Sequence, residues 1–115
     1  MADAIGVFQR EIMAGSLPDF AKYQALMNVQ STLDVAMAKN RHQDTALHVA
    51  ARCGNIKVIK YIHETALGVE IDHVNIDGKT GLHEAAQHGQ VECAKYLIES
   101  GSCIDSLKKA DWSVN

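Results

Sequence analysis

A chain of 115 residues, 47% of them apolar, has room for one small domain built on a single core or a short stack of elements. Its formal charge of −3 gives no basic excess to hold a phosphate backbone by counterion release, so direct nucleic-acid binding is not expected. No run of about 18 apolar residues occurs, and the start "MADAIGVFQREIM" lacks a basic leader and an unbroken apolar stretch, so neither a membrane span nor secretion is expected. Cys53, Cys93 and Cys103 form an odd set without C-x-x-C spacing and read as free thiols of a reducing compartment, the cytoplasm or the nucleus.

In chain order, residues 1–39 predict a capping helix pair. Ile5, Phe8 and Ile12 give the first helix one apolar stripe, Gly15 supplies a turn, and Leu17-Pro18 opens the second helix with proline near its first position, where the missing N–H costs least. Phe20, Tyr23 and Met27 form that helix's inner face.

A repeat follows. "DTALHVAARCGNIKVIKYI" from Asp44 and "KTGLHEAAQHGQVECAKYL" from Lys79 superpose without a gap at an offset of 35, with eight identities in nineteen positions. Thr45 and Thr80 stand where an N-cap hydroxyl would accept a backbone N–H of the first turn. Leu47, Ala50 and Ala51, and likewise Leu82, Ala85 and Ala86, place a stripe of mostly small residues on each first helix, which permits close stacking. Gly54 and Gly89 follow, at the place where helices end in a left-handed residue. Ile56, Ile59 and Ile62, then Val91, Ala94 and Leu97, carry the second helices, and Asp77-Gly78 marks a tight turn in the connector. The units read as 40–74 and 75–107, with 108–115 starting a truncated third. An open face at Ala94 and Leu97 would expose apolar area, at about 25 cal/mol per Å², and invites end-to-end self-association.

The pattern T-x-L-H-x-A-A-x-x-G, followed by a second helix and a loop, resembles the ankyrin repeat, with Ala46 and Gly81 in place of the proline usual after the threonine. The resemblance implies an all-α solenoid of helix-turn-helix units with hairpin-like loops, no cofactor, no enzymatic activity, and binding of a protein partner through loop tips and a concave helix face. It also implies that His48 and His83 are structural hydrogen-bonding residues between neighbouring loops.

"GLHEAAQHG" has the outline of a zinc helix, but His83 and His88 are five apart, about 140° around a helix, and cannot both reach one ion. No metal site is expected, and no nucleophile, base and oxyanion donors can be assembled into a catalytic set. The candidate partner contacts are Arg41, His42 and Asp44 on the first loop, Asp77 and Lys79 on the second, Arg52, Glu84, Gln87 and His88 along the exposed helix face, and Lys109 and Trp112 on the third tip. Trp112 is the one tryptophan, a residue type suited to anchoring an interface. The run "IDSLKKADW", with "LHEAAQHG" and the lengthened loop around "ETALGVEID", resembles a branch of the family associated with alanyl-tRNA synthetase, in which lysines accept misactivated serine. That resemblance implies the synthetase as partner and Lys109 as the acceptor.

Overall fold

The computed structural model describes residues 3–103, among which there are seven α-helices and no strand. They are α1 (Ala4–Met13), α2 (Phe20–Met27), α3 (Thr32–Met37), α4 (Ala46–Cys53), α5 (Ile56–Thr65), α6 (Gly81–Gln87) and α7 (Val91–Glu99). Helix α4 packs between α1 and α6 to form an inner layer, while α3, α5 and α7 follow one another along the outer layer. Hairpin-like loops project from the inner layer at 40–44 and 75–79, each closed by a backbone bond, from Asn40 N to the Asp44 carbonyl and from Asn75 N to the Lys79 carbonyl.

The small-residue stripe explains the close inner stacking, since Ala46, Ala50, Ala51 and Ala85 are all buried with no bulk to hold the helices apart. The first unit fills its core with rings instead. Phe8 meets Phe20 edge-on at 5.2 Å and Tyr23 at 5.1 Å, and Phe20 reaches Tyr61 of the next unit at 4.7 Å.

Four sequence expectations change. The segment 1–39 forms three helices rather than a pair, because Ser31 starts α3 by accepting the Asp34 N–H at 3.1 Å while Asp34 accepts the Gln30 N–H at 3.2 Å. Pro18 lies outside the second helix, whose N-cap is Asp19, an acceptor for the N–H groups of Ala21 and Lys22. In α7 Leu97 is buried and Ala94 packs against the core as expected, but Val91, the start of the expected stripe, is 63% exposed and Cys93 is buried in its stead. The face expected to stand open at Ala94 and Leu97 is closed at Leu97, which is 1% exposed.

Gly54 ends α4 at φ 77°, and Gly89 follows α6 at φ 69°. At Gly54 a Cβ would also lie 2.5 Å from Gln90 Oε1, whose side chain crosses from the next unit. Gly54→Ala therefore combines left-handed strain with displacement of Gln90, and is expected to cost about 1–2 kcal/mol, a fall in melting temperature of several degrees by circular dichroism. Gly78→Ala, at φ 73° with open space around it, meets the strain alone and is expected to fall less.

Candidate interaction surface

Helices α4 and α6 begin with the same device. His48 Nδ1 accepts the Thr45 backbone N–H at 3.1 Å and lies 3.0 Å from the Thr45 hydroxyl, and His83 does the same for Thr80 at 2.9 and 3.1 Å. With Nδ1 accepting, the neutral ring of His48 carries its proton on Nε2, which donates to the Lys79 carbonyl at 2.7 Å in the neighbouring loop. Burial holds His48 below the usual histidine range, against the opposing pull of the Lys79 bond and of Asp44 and Glu84.

The loops have a device of their own. Asn40 Oδ1 accepts the N–H groups of His42 and Asp44, and Asn75 Oδ1 accepts those of Asp77 and Lys79. Their Nδ2 groups reach backward along the stack, Asn40 to Gln9 Oε1 at 2.8 Å and Asn75 to Asp44 Oδ1 at 2.8 Å. The Ile76 N–H then donates to the His42 carbonyl at 3.0 Å, joining the two loops directly. Sequence reasoning missed these asparagines, although they recur at the same offset of 35.

Beneath the loops sits a set of charges. Arg52 donates from Nη2 to Asp44 at 3.0 Å and from Nε to Glu84 at 3.1 Å, and Asn75 Nδ2 donates to both carboxylates. This corrects the expectation that Asp44 stands exposed on the first loop and that Arg52 and Glu84 lie along an exposed helix face. Asp44 is 3% exposed and Glu84 4%, and Arg52 is partly buried between them, because each carboxylate has guanidinium and amide donors close enough to replace water. Burial alone would raise the Asp44 carboxyl, but the bonds from Asn75 and Arg52 outweigh it and hold it below the usual range, while Glu84 and Asp44 push the Arg52 guanidinium upward.

Above this layer the exposed residues include Arg41 and His42 on the first loop, Ile76 and Asp77 on the second, and Gln87 and His88 at the end of α6. Lys79 is half-buried, its Nζ donating to Gln87 Oε1 at 2.9 Å. His88 Nδ1 turns back to the Glu84 carbonyl at 3.0 Å, and His83 Nδ1 to Thr80, so the two rings face different partners. Lys109 and Trp112 lie outside the described residues.

Residues 13–108 match the sequence model of a family described as ankyrin repeats (3 copies). The chain belongs to the ankyrin repeat family. A chain in the solved structure titled "Bd0816 Predatory Endopeptidase from Bdellovibrio bacteriovorus in complex with immunity protein Bd3460" is similar in fold, with a TM-score of 0.66 and 24% identity. The match covers 90% of this chain and 49% of that one, so this chain spans about half the length of the solved one. Ankyrin stacks are typically interaction scaffolds, and no described helix is long and apolar enough to cross a membrane.

Two outcomes follow from the charge layer. Arg52→Ala strands two buried carboxylates, and because the guanidinium is partly exposed the expected loss is about 2–3 kcal/mol rather than the ~3–5 kcal/mol of a fully buried pair, read by urea unfolding; Arg52→Ala with Glu84→Leu recovers part of it. Both His48 and Asp44 are depressed on folding, so each contributes stability present above its unfolded pKa and lost as pH falls. The melting temperature is therefore expected to decline from about pH 6.5 downward through His48 and again below about pH 4 through Asp44, and His48→Asn is expected to flatten the first slope but not the second.

Proposed function

We propose that this ankyrin stack is an interaction module that holds a protein partner against its loop tips and the exposed side of its inner helices. The observation that carries this reading is Ile76. It is 60% exposed at a loop tip, with polar His42 and Asp77 beside it, on backbone fastened from below by Asn75 and from the side by the His42 carbonyl. An exposed apolar side chain on rigid backbone, rimmed by polar groups, has the form of an interface anchor, and the rigidity lowers the entropy lost on binding. Arg41, Asp77, Lys79, Gln87 and His88 supply the polar rim.

The resemblance of "IDSLKKADW" supports alanyl-tRNA synthetase as the partner, in the cytoplasm or nucleus, with Lys109 as an acceptor of misactivated serine. That narrower reading rests on the sequence alone. Asp44, Arg52 and Glu84 belong to it only indirectly, as the layer that keeps the rim in place.

A photo-crosslinking benzophenone side chain at Ile76 is expected to give a discrete protein adduct in cell extract, while the same group at Lys57, exposed on α5, gives none. Adducts from Lys57 but not from Ile76 would overturn the reading, and mass spectrometry of the Ile76 adduct decides whether the captured protein is the synthetase.

A further inference from the structure

At the N-terminal end of the same surface, a cleft of about 520 Å³ opens between α1 and the first loop. Three basic side chains line it, Arg10 from the last turn of α1 and Lys39 and Arg41 from the loop, all exposed. They converge there in a chain whose formal charge is −3, and among the described lining residues Asp3 is the one acid. We infer that this cleft receives an acidic stretch of the partner protein, an inference that rests on the interaction reading above and names the chemistry of what is bound.

Asp3 lines the same cleft. It is the N-cap of α1, yet its carboxylate makes no cap bond and lies over Gly6 instead. The point a Gly6 Cβ would occupy is 2.6 Å from Asp3 Oδ2 and 3.5 Å from Arg10 Nη1, so the carboxylate and the guanidinium both border the space over Gly6. The floor is fixed: Gln9 is buried, donating to the Asp44 carbonyl at 3.0 Å and accepting from Asn40 at 2.8 Å. Ile5 and Met13 add apolar surface to the walls, and Met13, 51% exposed, has the flexible thioether that adapts to a neighbouring apolar side chain. Cleft volume in this range suits a few side chains of a bound segment. Three cations confined to one cleft of a net acidic chain do not form the extended track that holds a nucleic-acid backbone, which favours a peptide carrying carboxylates next to an apolar residue.

The test uses a fluorescein-labelled peptide of aspartate and glutamate around one leucine, with polyuridylate of equal charge as the comparison, both read by fluorescence anisotropy on the full chain. The peptide is expected to bind more tightly than polyuridylate. Lys39→Glu with Arg41→Glu, both exposed positions, is expected to weaken it by about tenfold or more at an unchanged melting temperature. Asp3→Asn is expected to tighten it by removing the one acid among the described lining residues, and Lys57→Glu on the outer layer to leave it unchanged. Raising salt from about 0.05 to about 0.3 M should weaken it. Equal binding of polyuridylate, or indifference to the double charge reversal, overturns the inference. If the peptide fails to bind while a benzophenone at Ile76 still captures a protein, the cleft inference falls and the interaction reading stands; if neither engages, the reading itself falls.

Discussion

The imidazole of His48 joins the start of its own helix to the loop of the next unit. Nδ1 fastens the start of its own helix through Thr45, and Nε2 gives its proton to the carbonyl of Lys79, in the loop of the next unit. A neutral imidazole accepts at one nitrogen and donates at the other, which suits histidine to this position. Lys79, thus located, accepts the Asn75 N–H, gives its own N–H to Asn75 Oδ1 and sends its ammonium to Gln87. The loop tip, and with it Ile76, is placed by that chain of bonds.

The charge layer under the loops works to the same end by different means. Ion pairs this enclosed add little net stability compared with apolar packing, since desolvation offsets the attraction. Their value is geometric. Arg52 can satisfy Asp44 and Glu84 together only if α4, α6 and the Asn75 loop keep one spacing, so the layer fixes the floor of the surface to a single register.

What the sequence made legible was whatever repeats or whatever a helix period encodes. The Thr-x-x-His caps, the alanine stripe and Gly54 all stood in the alignment at offset 35, and each fills the position that its chemistry suggested. Asn40 and Asn75 stood in it too, but lay just outside the nineteen matched residues, and a loop asparagine has no periodicity to betray it. The exposure of Asp44 and Glu84 was misread because a charged residue on a polar face looks solvated until its partner is known, and that partner, Arg52, comes from the neighbouring helix stripe. Helix α3 escaped because six residues are too few to show a period, and its evidence, Ser31 with Asp34, is a local capping signal. The cleft beside Arg10 depends on residues about thirty apart meeting at one place, which no single stretch displays.

The amides that follow α4 and α6 point to one more property. Asn55 Nδ2 reaches back to the Ile12 and Ser16 carbonyls, and Gln90 Nε2 to the Arg52 carbonyl, each closing the end of the helix before its own. Every unit therefore lends its predecessor an ending that the predecessor lacks in isolation. The stack has a grain: fraying at the N-terminal side removes only the recipient of such a bond, whereas fraying at the far side reopens the helix end left behind. Hydrogen exchange along the chain would accordingly run down unevenly, with the carbonyl end of each inner helix as stable as the unit that follows it.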